Sequence, residues 1–129
     1  LIDNQCKDAI KLASEHGIGI LVGGPFKRGY LSGRFKGIED LPLDDDYWKW
    51  NVDHNKQKVE QILEMTRALL EKTGSPKNLR REAFEFILKE SGVSSLTIGH
   101  RSIEEVAENI DLIEEVTKKL QKKGKGGQK

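Results

Sequence analysis

The sequence predicts an α/β fold built on a parallel sheet that is incomplete within these 129 residues. Two short apolar runs, residues 18–22 (IGILV) and 93–98 (VSSLTI), are predicted to be its strands. The first lacks the polar alternation of a half-exposed strand, which favours burial on both faces of a parallel sheet. Two strands leave backbone groups unpaired on their outer edges. We therefore expect further strands from upstream polypeptide or from another chain.

Three helices are predicted before the second apolar run, from apolar residues at helical spacing. The first covers residues 4–16 and ends at a glycine, and the second covers residues 53–72. Ser75 and Pro76 are residue types preferred at the N-cap and first position of a third helix. Residues 26–52 show no sustained periodicity, which predicts a long surface loop of the kind that often covers a binding site.

The last helix is predicted to begin at Ser102, which with Glu105 three residues later has the pattern of a capping box. Residues 118–129 (KKLQKKGKGGQK) are basic and Gly-rich. We therefore expect residues 1–117 to form the folded segment and residues 118–129 to form a disordered tail. The apolar stripe of the last helix is predicted to comprise Ile103, Val106, Ala107, Ile110, Ile113 and Leu120.

The composition is typical of a cytoplasmic protein without a membrane span. A formal charge of +1 gives no general attraction to nucleic acid or membranes. The start of the chain lacks the basic and apolar regions of a signal peptide, and Leu1 in place of Met leads us to expect further polypeptide upstream. Cys6, the single cysteine, cannot form an internal disulfide, which is typical of a reducing compartment. The histidines show no metal-ligand spacing, so no metal site is expected.

The turn after the second apolar run has the composition of an anion-binding site. Gly99 lets a ligand approach the backbone closely, and His100 follows it. Arg101 is able to form paired hydrogen bonds with a phosphate, and the N–H groups after Ser102 favour an anion. A capped helix with an exposed arginine explains the same residues, and Glu105 is equally well explained as a capping residue. The residues alone leave both interpretations open.

A second candidate site follows the first apolar run. Gly23, Gly24 and Pro25 place backbone without long side chains at a strand end, where parallel α/β proteins bind ligands. Lys27 and Arg28 come directly afterwards and suit a lid over a negatively charged ligand. An ordinary surface loop with solvated cations explains these residues somewhat better.

Three blocks of the sequence follow one another in the order found in a known family. They are residues 16–35 (HGIGILVGGPFKRGYLSGRF), residues 83–88 (AFEFIL) and residues 93–109 (VSSLTIGHRSIEEVAEN). Together they resemble the aldo-keto reductases, namely the seventh strand with its loop, the penultimate helix, and the eighth strand with the cofactor-binding helix. The resemblance covers nearly the whole chain, and its last block is the most specific.

This resemblance implies the C-terminal part of a (β/α)8 TIM barrel, from about the sixth helix to the eighth, incomplete in this chain. It also implies NADP(H) as the cofactor of carbonyl reduction by hydride transfer. The residues matching the family's 2′-phosphate site are Gly99, His100, Arg101 and Ser102, and those matching its adenine contacts are Glu108 and Asn109. The residues expected beside the nicotinamide and pyrophosphate are Gly23, Gly24, Pro25, Phe26, Lys27 and Arg28.

Three positions depart from the family pattern. Gly23 stands where an aromatic residue commonly stacks on the nicotinamide, and Gly24 stands where a serine is common. Glu105 stands where many NADP-selective members have an arginine for the 2′-phosphate. A carboxylate there repels a phosphate but accepts a hydrogen bond from a ribose hydroxyl. NAD(H) is therefore the alternative to NADP(H).

The resemblance predicts an NAD(P)H-dependent oxidoreductase acting on a small carbonyl substrate. The family's Asp, Tyr, Lys and His tetrad lies in the first half of the barrel, so no catalytic residue is assigned here. The remainder of the barrel is expected from the upstream chain or a partner chain. The alternative is a non-catalytic NADP(H)-binding or regulatory module. No nucleic-acid partner is expected, because the lysines of the tail have no aromatic residues between them.

Overall fold

The computed structural model describes residues 6–125, and these residues are mostly helical. The elements in chain order are α1 (Lys7–Glu15), β1 (Ile20–Gly23), α2 (Asp46–Thr73), α3 (Pro76–Leu88), β2 (Val93–Thr97) and α4 (Ile103–Lys125). Two short 3-10 turns, Tyr30–Ser32 and Ile38–Asp40, lie between β1 and α2. No helix among the described residues combines the length and apolar character needed to cross a membrane.

The expectation of a C-terminal part of a (β/α)8 barrel is wrong. The sheet within residues 6–125 contains only β1 and β2, which pair in parallel with Gly23 opposite Thr97. Closing a (β/α)8 barrel requires eight tilted strands, each paired along both edges. Two strands of four and five residues do not meet that condition, and helices supply most of the remaining structure. The chain is a small, α-rich fold.

The prediction that β1 is buried on both faces is also wrong. Burial alternates along β1, and Leu21 is 64% exposed. On β2, Val93 and Leu96 are partly buried, whereas Ser94 and Ser95 are exposed. Side chains alternate between the two faces of a strand. The described residues therefore cover one face of β1 and leave the other open.

The chain divides into two compact units, one of which comprises residues 26–80 and the other residues 6–25 and 81–125 of the described chain. In the discontinuous unit, Ala83, Phe84, Leu112 and Val116 are buried. Two ion pairs join α3 to α4. Arg81 contacts Glu115 at 2.8 Å, and Lys119 contacts Glu85 at 2.6 Å.

The buried face of α4 differs from the predicted apolar stripe. Ile103 is 82% exposed and Ile110 is also exposed, whereas Asn109, Leu112 and Val116 are buried. The described residues bury a narrower face than the apolar residues of α4 span. The helix extends to Lys125, into the segment where a disordered tail was predicted, and residues 126–129 lie outside the described residues.

The continuous unit, residues 26–80, is organised around Trp48. Its ring makes edge-on contacts with Tyr30 at 5.1 Å and Phe35 at 5.3 Å between ring centroids. Helix α2 begins at Asp46, seven residues earlier than predicted, because the Asp45 carboxylate accepts a hydrogen bond from the Tyr47 N–H at 2.9 Å. The remaining residues of this core and its margin are Leu41, Val59, Leu63, Ile38, Val52 and Ile62.

The C-terminal end of α2 and the start of α3 agree with the sequence. Gly74 follows α2 with a left-handed φ of 77°, which glycine adopts without a steric penalty. Ser75 Oγ accepts a hydrogen bond from the Asn78 N–H at 3.2 Å, and Pro76 is the first helical residue. Helix α2 contains a kink at Asn55, whose φ of −135° and ψ of 30° are not helical.

Candidate functional site

The carboxyl ends of β1 and β2 lie side by side, because the two strands are parallel neighbours. Gly23 is in register with Thr97, and the Gly24 N–H donates a hydrogen bond to the Thr97 carbonyl at 3.1 Å. The turn that begins at Gly99 starts two residues later. The two glycine-containing turns therefore leave the sheet at the same end, which is the position where parallel sheets bind ligands.

Gly23 and Gly99 are not required by the packing of the described residues. A Cβ added at either position would meet no atom of another residue within 4 Å, and neither φ lies in the left-handed region. Gly24 differs, because its φ of 60° is a conformation that other residues rarely adopt. Open space above Gly23 and Gly99 gives a ligand access to the backbone at both strand ends.

At the start of α4, side chains of the first turn accept hydrogen bonds from backbone N–H groups. Ser102 Oγ accepts a hydrogen bond from the Glu105 N–H at 3.3 Å, as the predicted capping box requires. The Glu105 carboxylate accepts a hydrogen bond from the backbone N–H of Arg101 at 2.9 Å, one residue earlier than in the usual box. The side chain of Arg101 is exposed. This turn therefore combines the hydrogen-bonded carboxylate of Glu105 with an accessible cation.

A second carboxylate at the start of α4, Glu104, was not singled out by the sequence. Hydrogen bonds from its own backbone N–H and from the Ser102 hydroxyl lower the pKa of Glu104 below its ordinary value. Both bonds stabilise the ionised carboxylate, as does the positive end of the helix dipole. The preference for acidic residues in the first turn of helices is the signal that indicates this residue.

The segment after β1 contains two residues in an uncommon conformation. Lys27 and Arg28 have φ angles of 49° and 55°, and Gly29 continues with a φ of 95°. A left-handed conformation costs a residue with a Cβ about 1–2 kcal/mol. The guanidinium of Arg28 lies 4.4 Å from the centre of the Tyr47 ring. This strained turn holds two cations immediately after the strand end.

The other predicted residues of this turn are more enclosed. Pro25 is buried and Phe26 is partly buried. The Phe26 carbonyl accepts hydrogen bonds from the Gly29 and Leu31 N–H groups, both at 3.0 Å. Those bonds fix the backbone of the turn. Phe26, Lys27 and Arg28 belong to the continuous unit, whereas Gly23, Gly24, Pro25 and residues 99–109 belong to the discontinuous one.

The predicted adenine contacts lie in different environments on α4. Glu108 is exposed, whereas Asn109 is 5% exposed. Asn109 Oδ1 is buried and has no hydrogen-bond donor among the described residues. An unpaired buried polar group costs about 1–3 kcal/mol, so Asn109 lowers the stability of the discontinuous unit.

Two histidines lie next to carbonyls of their own helices. His16 Nδ1 lies 2.9 Å from the Leu12 carbonyl at the end of α1. His54 Nδ1 lies 2.9 Å from the Trp50 carbonyl, and its ring stacks on Trp50. Trp50 is 55% exposed, whereas Trp48 is buried. Residues 6–125 contain no cluster of three or more His, Cys, Asp or Glu side chains suited to a metal ion.

A groove of about 790 Å³ in the continuous unit was not predicted. It lies between residues 36–39 and α2, with Ile38, Val52 and Leu63 as its apolar part. Its charged lining consists of Lys36, Lys56, Arg67, Glu39, Asp53 and Glu60. Three cations and three carboxylates give the groove no preference for either charge. Nothing in the sequence pairs these two segments, which explains why pattern analysis missed it.

No protein-family model matches the chain, and no curated protein matches it. The adjoining strand ends and the start of α4 are therefore the basis on which function is inferred.

Proposed function

We propose that this chain binds a nicotinamide cofactor, NADP(H) or NAD(H), as part of an oxidoreductase that resembles the aldo-keto reductases. The reaction is reduction of a small carbonyl substrate, in which the cofactor supplies the hydride. The site comprises the ends of β1 and β2 and the start of α4. The observation that carries the proposal is the hydrogen bond between the Gly24 N–H and the Thr97 carbonyl, which joins the two strand ends.

Two features of these strand ends support cofactor binding. Gly23 and Gly99 lack a Cβ where the packing of the described residues leaves room for one. Glycine at such positions favours close approach of a ligand to the backbone. Arg101 adds an exposed cation beside Gly99, and a guanidinium binds the oxygens of a phosphate well.

The experiment is a titration of the 129-residue protein with NADPH and with NADH, followed by the fluorescence of the reduced nicotinamide. We expect saturable binding of at least one cofactor. Gly99→Val and Gly23→Val should each weaken that binding about tenfold or more, a change of about 1.4 kcal/mol, because a side chain fills the approach to the backbone. Both variants should fold, since a Cβ at either position meets no atom of another described residue within 4 Å.

Ser95→Val is the matched control, because Ser95 is exposed on β2 but precedes the strand end. It should bind the cofactor as the unaltered protein does. Failure of both cofactors to bind at millimolar concentration would contradict the proposed function. Unchanged binding by Gly99→Val and Gly23→Val would place the cofactor elsewhere.

A second candidate function is cofactor binding without turnover, as a regulatory module. The exposed side chains of Leu21 and Ile103 favour it, because large apolar side chains exposed in this way are common at contacts with other chains. The two functions differ in one measurement. With this chain joined to the upstream polypeptide or partner chain that would supply the catalytic groups, oxidation of NADPH or NADH in the presence of a small aldehyde indicates the oxidoreductase, and binding without oxidation indicates the module.

A further inference from the structure

Helix α4 has a second set of apolar residues besides the ones that its own unit buries. Leu112 and Val116 are buried, whereas Ile110 is 51% exposed. Two residues of a helix turn the chain by about 200°, so Ile110 and Leu112 lie on nearly opposite sides of α4. The second set recurs at intervals of three and four residues and is called here the heptad seam. Its members are Ile103, Val106, Ile110, Ile113, Thr117 and Leu120.

The spacing and the exposure of the heptad seam fit a helix from another chain. Alternate intervals of three and four residues are the spacing at which two helices pack along each other. The seam residues Ile103, Val106, Ile110 and Thr117 are exposed, and the other two are partly buried. Large apolar side chains that are exposed along one face are common at contacts between chains. Within the seam, Thr117 is the only polar residue.

The charges of α4 indicate which helix the seam accepts. Residues 103–116 contain six acids and no base, whereas residues 118–125 contain five lysines and no acid. The helix dipole explains such a bias only within the first and last turns. A parallel copy of α4 would place acids beside acids, whereas an antiparallel copy places acids beside lysines. The helix is therefore complementary in charge to an inverted copy of itself.

We infer that α4 packs antiparallel against α4 of a second copy of this chain, along the heptad seam, and forms a two-fold dimer. One register pairs all six seam residues. In it, Ile103 lies level with Leu120 of the second copy, and Val106 lies level with Thr117 of the second copy. A two-fold axis makes each contact occur twice, so the exposed seam residues of both copies become buried.

Sedimentation equilibrium of the 129-residue protein over a range of concentrations measures the dissociation constant of the dimer. We expect a monomer–dimer equilibrium, which Ile110→Asp should weaken about tenfold or more by placing a charge in the seam. Met65→Asp is the matched control, because Met65 is an apolar residue of α2 that is 46% exposed, and it should leave the constant unchanged. A protein that stays monomeric at millimolar concentration would overturn the inference, as would equal dissociation constants for the two variants.

Disulfide cross-linking tests the antiparallel direction. The exposed Cys6 is replaced by serine, and Val106→Cys and Thr117→Cys are then introduced into separate proteins. Both positions are exposed, so neither change disturbs the core. Oxidation of the mixture should yield mainly the mixed disulfide, because like positions lie about 16 Å apart along an antiparallel pair, too far for a disulfide. Disulfides mainly between two Val106→Cys chains would mean a parallel pair and would overturn the inference, as would the absence of any disulfide.

Discussion

The backbone N–H of Arg101 donates a hydrogen bond to the carboxylate of Glu105 at 2.9 Å, across the start of α4. The backbone N–H of Glu105 in turn donates a hydrogen bond to Ser102 Oγ at 3.3 Å. The three residues therefore form one local cap that fixes both the helix start and the orientation of a carboxylate at the candidate site. Changes to this cap should affect stability and cofactor binding together.

Ser102→Ala should lower the free energy of unfolding by about 1 kcal/mol, the usual cost of losing a serine N-cap. Stability is lost because alanine lacks the hydroxyl oxygen that accepts the hydrogen bond of the Glu105 N–H. Urea unfolding followed by circular dichroism measures the change. Ser91→Ala, at an exposed turn residue, is the control and should have a much smaller effect. Equal losses in the two variants would contradict the capping role.

Thr66→Val should stabilise the protein by on the order of 1 kcal/mol. The Thr66 side chain is 1% exposed, and its buried hydroxyl has no hydrogen-bond partner among the described residues. Replacing an unpaired hydroxyl with a methyl group removes the desolvation cost while preserving the shape. The control on the same helix is Thr73→Val, because Thr73 Oγ1 donates to the Leu70 carbonyl at 3.2 Å. Thermal unfolding should show a gain for the first variant only.

Gly33→Ala should be more destabilising than Gly74→Ala. Both glycines have a left-handed φ, 80° and 77°, which costs an alanine about 1–2 kcal/mol. A Cβ on Gly33 would also lie 2.7 Å from Pro76 Cβ, whereas one on Gly74 would meet nothing within 4 Å. Urea unfolding of both variants separates the conformational cost from the steric one. Equal destabilisation would mean that Pro76 moves away without cost.

Lys27→Gly should stabilise the protein by about 1 kcal/mol, because glycine adopts the φ of 49° without the penalty that lysine pays. Lys36→Gly is the control, since Lys36 is a loop residue outside the left-handed region and should lose stability. A Lys27→Gly variant with unchanged or lower stability would contradict the conformational cost assigned to this residue.

Raising the pH above 10 should destabilise the continuous unit through Tyr30. Burial, and secondarily the neighbouring Tyr47, raise the pKa of Tyr30 above its ordinary value of 10.0. Unfolded tyrosine therefore ionises at lower pH than folded Tyr30, so the stability that depends on the neutral phenol is lost as the pH rises past 10.0. Tyrosinate absorbance should report a delayed ionisation that Tyr30→Phe abolishes. An unchanged titration in that variant would exclude Tyr30 as its source.

The features predicted correctly from the sequence are those that neighbouring residues determine. Gly74 ends α2, Pro76 begins α3, and Ser102 caps α4 as expected. The strands also occur where apolar runs predicted them, with bounds shifted by at most two residues. Each of these features depends on hydrogen bonds or steric limits within about four residues along the chain.

Burial was predicted less well, because it depends on segments far apart in the sequence. Ile103 and Ile110 match a helical stripe but are exposed, whereas Asn109 faces the interior. Helical periodicity identifies apolar positions but not which of them a neighbouring element covers. The prediction of a barrel was wrong for the same reason, since the number of paired strands is a property of the assembled sheet.

By itself, the sequence determined the C-terminal end of α2 and the starts of α3 and α4. It also determined that two apolar runs become strands, and that glycines and a capping box follow those strands. Only the tertiary structure decided that the strands pair in parallel, so that Gly24 bonds to Thr97, and that Gly23 and Gly99 have open space above them. The physical reason is the distance along the chain between the residues in contact. Caps and turns form from contacts within a few residues, whereas strand pairing and the open space beside it depend on residues more than seventy positions apart.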